Sequence, residues 1–124
     1  MHATTPEQAV ELFSRAMNDG DLEGALSLYE PDATFSPQPG QSLTGHAAIR
    51  EALAGFFALR PRITGEVHKV LEAGDTALVM NRWSLEGTGP DGEPVAMEGT
   101  SADVVRRQPD GRWLVLIDDP WGAA

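Results

Sequence analysis

The chain contains no cysteine, which excludes disulfides, thiolate nucleophiles and thiolate metal ligands. Positive charge is scarce as well. Nine Lys and Arg stand against nineteen Asp and Glu, leaving a net charge of −10. Phosphate contacts need a basic surface, so neither nucleic acid nor an anionic membrane is an expected partner. No apolar run reaches bilayer-spanning length. The opening residues, MHATTPEQ, show neither a basic stretch nor an apolar h-region, so a cytoplasmic protein is expected. The three histidines are far apart, with no His-x-His or His-x-x-x-His spacing; no metal site and no cofactor are expected. Repeats and linker-like tracts are also missing, and 124 residues suit one domain, 1–124, with a modest core.

What is present is a meander. TALVMNRWSLEG leads to a turn at Gly89-Pro90-Asp91-Gly92, PVAMEGTSADVVRRQ to a second at Pro109-Asp110-Gly111, and RWLVLIDDPWG follows. Aspartate-glycine turns between apolar, β-branched runs signal hairpins, because Gly reaches positive φ without steric cost and Asp bonds its own backbone. Arg82, Asp103 and Asp118 each interrupt an otherwise apolar run. A buried charge is costly unless it is paired or used.

Upstream, Thr5-Pro6-Glu7-Gln8 reads as a capped helix start, and Ala9, Leu12, Phe13, Ala16 and Met17 recur at helical spacing until Asn18-Asp19-Gly20 ends the helix. A shorter helix runs from Asp21 to about Tyr29 and stops at Pro31. Ala33 to Ser36 is a short strand, and the Pro- and Gly-rich residues 36–43 form a loop. Thr44 is placed to cap a third helix carrying Ile49, Leu53, Phe56 and Phe57 on one face. Ile63 to Glu72 is the first long strand. This order implies an α+β fold: three N-terminal helices packed on a curved antiparallel sheet of four long strands plus the short one. Leu114 and Leu116 alternate with Trp113, Val115 and Ile117, so the last strand is apolar on both sides, and a homodimer through the sheet is expected to cover the outer face.

GDLEGALSLYEPDATF, LTGHAAIREAL and the final DGRWLVLIDDPWG resemble the SnoaL-like and ketosteroid-isomerase-like small proteins of the nuclear transport factor 2-like superfamily. The resemblance covers nearly the whole chain. It implies a cystatin-like α+β barrel with a cone-shaped apolar pocket, commonly dimeric. The isomerase uses an Asp general base with a Tyr and a protonated Asp as oxyanion hole. Its tyrosine falls on Phe13 and its base on Pro37; only the protonated Asp is kept, as Asp103. The resemblance therefore does not carry the steroid-isomerase mechanism to this chain. Limonene-epoxide hydrolase, of similar fold, activates water with an Asp-Arg-Asp arrangement, and Arg82, Asp103 and Asp118 supply those residue types in a different order.

Asp103 shares a strand face with Gly99, Ser101 and Val105, and the resemblance turns that face to the pocket. It is the leading acid or base, or else a structural carboxylate paired with Arg82. Asp118 alternates with Leu114 and Leu116 and joins the same pocket, or else closes its strand before Pro120. Strand parity leaves two sets open: Leu78, Met80 and Arg82 inward, or Val79, Asn81 and Trp83. His46, at the start of the third helix, is a neutral base or a solvated helix end. Phe13, Met17, Tyr29, Phe35 and Phe56 are expected to line the pocket, with Asn81, Trp83, Ser101 and Leu116 from the strands. The loop 36–43 forms its rim or an ordinary connection. The expected ligand is small and mainly apolar. The chemistry is a cofactor-independent isomerisation, cyclisation or hydrolysis; the alternative is a non-catalytic ligand-binding or dimerising accessory protein that keeps the fold alone. Enough aromatic bulk is present to close the cone altogether.

Overall fold

A computed structural model describes residues 2–122. Helix α1 (Pro6–Asn18) begins as its sequence dictates: the Thr5 side chain accepts from the Gln8 N–H, while the Gln8 side-chain oxygen reaches back to the Thr4 N–H at 2.7 Å. It ends at Asp19, with Gly20 at φ +69°. The Asn18 side chain then clasps the sheet, accepting from the Ile63 N–H and donating to the Ile63 carbonyl. That clasp fixes the end of α1 against β3 (Arg62–Ala73).

Helix α2 is shorter than its periodicity suggests, Leu22–Leu26. Tyr29 belongs instead to β1 (Tyr29–Phe35), which continues through Pro31. Proline is tolerated there because the pairing of β1 with β6 (Trp113–Asp119) is irregular between Tyr29 and Thr34, so no ladder N–H is lost. Thr44 does not cap α3 (His46–Phe57); Gly45 holds that position without a side-chain bond. Thr44 lies in β2 (Leu43–Thr44), its hydroxyl 3.1 Å from that of Thr34 across the pair. Strands β4 (Thr76–Thr88) and β5 (Pro94–Arg107) complete the meander at its expected turns.

The sheet order is β2-β1-β6-β5-β4-β3. All neighbours are antiparallel except β1 and β6, which run parallel, so the expected antiparallel sheet is mixed. It is also open, with β2 and β3 at its edges. The three helices cover one face, and the expected α+β architecture is present. Ile49 and Leu53 of α3, Ala9 and Val10 of α1, and Tyr29, Val79, Val105 and Val115 of the strands form the core between the layers. Among the described residues no helix is long and apolar enough to cross a membrane.

Two features of register position everything that follows. In β4, Ala77, Val79, Asn81 and Leu85 are buried, whereas Arg82 is exposed. The second parity set therefore faces the helices. In β6 the pairing with β5 slips between Val104 and Val105: Val115 faces Val105, Ile117 faces Val104 and Asp118 faces Asp103, leaving Leu116 as the extra residue. A β-bulge of this kind re-aims the side chains beyond it. Simple alternation would have put Asp118 on the face of Leu114 and Leu116; the bulge sets it on the face of Trp113 and Val115.

Candidate functional site

Between α1, α3 and the concave face of the sheet lies a cavity of about 80 Å³ that opens to solvent. Its wall is mostly apolar. Phe13 and Met17 come from α1, Leu53 and Phe56 from α3, Phe35 from β1, and Leu85 and Met97 from β4 and β5. Apart from Ser14 of α1, the polar side chains converge on one patch of the sheet. Asn81 stands opposite Ser101, and Asp103 stands opposite Asp118.

Asp103 and Asp118 face each other across the β5–β6 pair, and each disturbs the other's ionisation. Two carboxylates in contact cannot both ionise, so the pair shares a proton. Burial pushes the Asp103 carboxyl well above its ordinary value, and the charge of Asp118 adds to the shift. Burial also raises Asp118, but the bonds it accepts from Asp103 and from the Tyr29 hydroxyl pull the other way. Both carboxyls are pushed upward by burial, and the one shared proton belongs to the pair. Asp103 is itself held by the Ser101 hydroxyl at 3.0 Å and the Asp119 N–H at 3.3 Å. Tyr29 is buried, and its phenol is shifted well upward by that burial and by the Asp118 charge; it stays a donor at every ordinary pH. The arrangement is a chain of three acids, phenol to carboxylate to carboxyl, that can lend or take one proton inside an apolar cavity.

The cavity wall continues into the end of the described chain. The Trp83 indole donates to the Pro120 carbonyl at 2.8 Å, and the Trp121 indole to the Pro37 carbonyl at 3.1 Å. The two rings meet edge to face, 5.0 Å between centroids. Trp83 fits because residue 99 is glycine: a Cβ there would come within 3.1 Å of the indole and 3.2 Å of the Pro120 oxygen. The loop that starts at Pro37 is therefore tied to the rim of the cavity.

Most of the residues singled out from sequence come together here. Asp103, Asp118, Phe13, Met17, Phe35, Phe56, Asn81, Trp83 and Ser101 all line the cavity. Tyr29 lies behind it and reaches it through Asp118. Three do not reach it. Arg82 points out of the opposite face, opposite Glu66 and Thr100 on the neighbouring strands, because β4 has the other parity. Leu116 is the bulge residue and does not line the cavity. His46 stands at the start of α3, its Nε2 2.9 Å from the Tyr29 carbonyl oxygen, where it ties that helix to β1. Met97 was missed although it continues the alternation of Gly99, Ser101 and Asp103. Trp121 was missed because it follows the last strand, where no periodicity marks a face. Among the described residues no group of three His, Asp or Glu side chains is placed to hold a metal ion.

Residues 10–116 match the SnoaL-like domain family. This chain belongs to that family. Solved structures with the same fold include a ketosteroid isomerase-like protein from Erwinia carotovora atroseptica, 19% identical, covering 90% of this chain and 88% of that one with a TM-score of 0.79. Another is a protein of the NTF2-like family from Streptomyces avermitilis, 25% identical over 91% and 90% of the two chains, TM-score 0.77. An NTF-2 like protein of unknown function from Shewanella oneidensis is 18% identical over 90% and 91%, TM-score 0.74. No curated protein matches the chain. In this SnoaL-like domain Phe13 and Pro37 line the cavity and bring neither a hydroxyl nor a titratable group to it.

Proposed function

We propose that this SnoaL-like domain binds a small, mainly apolar molecule in the cavity and performs acid–base chemistry on it. Asp103 is the proton donor, Asp118 the acceptor, and Tyr29 the residue that orients Asp118. The observation that carries this reading is the facing carboxyl pair on a mostly apolar cavity wall. Two carboxyls that share a proton in an apolar cavity can release and take it back, as acid and base chemistry requires.

Two probes separate this from a non-catalytic binding role. Deuterium exchange next to the carbonyl of cyclopentanone and hydrolysis of cyclohexene oxide, both followed by NMR, report proton abstraction and water activation. Wild-type protein should accelerate at least one, and the Asp103→Asn, Asp118→Asn double variant should lose roughly a hundredfold or more of that rate. A double variant as fast as wild type, or no acceleration by either protein, would leave ligand binding without catalysis as the function.

We also propose a homodimer through the outer face of the sheet. Leu71, Leu78, Val104 and Ile117 form one cross-strand row on that face. Leu71 and Ile117 are 54% and 42% exposed, and an apolar row across four strands is the kind of surface a second copy covers. Sedimentation of the protein should give a dimer, and Leu71→Glu with Ile117→Glu a folded monomer. A wild-type monomer at micromolar concentration removes the idea.

A further inference from the structure

The cavity is smaller than the molecules its wall would suit. At about 80 Å³ it falls short of the roughly 150 Å³ in which an apolar cavity holds benzene. A ring-sized ligand therefore needs part of the wall to give way. Most of the wall belongs to the packed layers, where Phe35, Leu53, Leu85 and Met17 are all buried on helices and strands. Well-packed layers yield little.

One part of the wall is different. Pro37 belongs to residues 36–42, which join β1 to β2. Residues 38–42 are exposed, and among the described residues their hydrogen bonds stay within the loop: the Gln38 carbonyl accepts from the Ser36 hydroxyl at 3.1 Å and from the Gln41 N–H at 3.0 Å. At the base of the loop the Ser36 N–H donates to the Asp118 carbonyl at 2.9 Å. Further out, the bond from the Trp121 indole to the Pro37 carbonyl ties the loop to the opposite rim. Trp121 itself rests on Trp83, whose indole is anchored to the Pro120 carbonyl. One rim is thus braced by two rings, and the other hangs on one neutral hydrogen bond.

Space lies behind that bond. An open groove of about 520 Å³ runs between the loop and α3, lined by Gln38, Gln41, Leu43, Ala52 and Gly55. Pro37 and Phe56 line both the groove and the cavity, so they form the partition between the two.

We propose that residues 36–42 are a gate on the cavity, latched by the hydrogen bond from Trp121 to Pro37, and that release of the latch joins the cavity to the groove beside α3. Neutral apolar molecules of ring size and above enter by that route. No strand has to unpair for the gate to move, because the loop's remaining bonds are its own or lie at its base. The proposal rests on the cavity being a ligand site and adds the entry route and the element that limits ligand size.

The test uses N-phenyl-1-naphthylamine, a neutral apolar dye too large for the closed cavity that fluoresces in apolar surroundings, mixed with the protein by stopped flow. With wild-type protein the rate of the fluorescence rise should level off as dye concentration increases, because gate opening becomes limiting. Trp121→Phe keeps a ring and removes the N–H; it should raise that plateau about fivefold, the weight of one neutral hydrogen bond. A rate that climbs without a plateau, or a plateau equal in the two proteins, overturns the gate and leaves the ligand cavity standing. Binding by neither protein also overturns the gate, and the ligand reading falls with it only if cyclopentanone, the smaller probe, fails to bind as well. If Trp121→Phe does not fold, wild-type protein carrying 5-fluorotryptophan replaces it: the dye should shift two of the three fluorine resonances, those of Trp83 and Trp121, and leave that of Trp113, which does not line the cavity. An unshifted set overturns the gate.

Discussion

Asp103→Asn should be more stable than the parent protein at about pH 8 and should lose much of the parent's dependence of stability on pH. The cause is proton linkage. Below the ordinary carboxyl value of 3.8, residue 103 is protonated whether the chain is folded or not. Above it the unfolded chain releases the proton, while the folded chain retains it because burial and Asp118 disfavour the charge. Stability therefore falls as pH rises, by about 1.4 kcal/mol per pH unit for one retained proton, until the raised folded value is passed. Asp118 enters this slope only as the partner in that shared proton, and Tyr29 does not titrate within this window because its shift is upward. Asn81 and Ser101, which also face the pair, carry no charge. Asp110, lowered by the Arg112 N–H, runs the other way, but it lies at the surface, so the buried pair sets the trend. Asparagine removes the titration and keeps the bonds: its oxygen can accept from the Asp119 N–H, and its amide can donate to Asp118. Urea melts at about pH 4.5 and about pH 8 would show it. A parent protein equally stable at both, or a variant with the parent's slope, would mean that Asp103 does not hold a proton in the fold.

Leu53→Ala should lower stability by about 3 kcal/mol and widen the cavity. Leu53 is buried in α3 at 1% exposure and forms part of the cavity wall, so truncation both removes buried hydrocarbon and leaves space that the surrounding layers fill only in part. For a domain of this size the melting temperature should drop by roughly 10 °C. An apolar cavity of about 150 Å³ can hold benzene; the enlarged site should do the same, and saturating benzene should restore part of the lost temperature through binding to the folded state. A loss below about 1 kcal/mol, with no effect of benzene, would show that α3 settles onto the sheet and that the cavity is not held open by its frame.

The scaffold was legible because its signals are local. Thr5 and Pro6 start a helix, and the Asp-Gly turns set the meander, each through bonds within a few residues. The resemblance supplied the orientation of the Asp103 face toward the helices. What sequence could not supply is everything decided between strands. Tyr29 continues a helical pattern on paper, but its backbone pairs with Val115 in a parallel ladder, and that partner lies far along the chain. The parity of β4, which exchanges Arg82 for Asn81 at the cavity wall, follows from its pairing with β3 and β5 and not from its own alternation. Thr44 looked like a cap because capping residues and edge-strand residues overlap in type. The pairing of Asp118 with Tyr29 needed the fold itself, since the two are 89 residues apart.

The extra residue in β6 bears on how such a site arises and disappears. Without the slip at Leu116, strict alternation from Val115 would turn Ile117 toward the helices and Asp118 toward the outer surface, giving an aliphatic where the carboxylate now stands. One inserted or deleted codon in this strand would thus exchange an acid for a hydrocarbon in the cavity, with every other residue unchanged in identity. Among proteins sharing this scaffold, length variation within the final strand is then a route by which a carboxylate is gained or lost from the cavity, and comparing only which amino acid occupies each aligned position would overlook it.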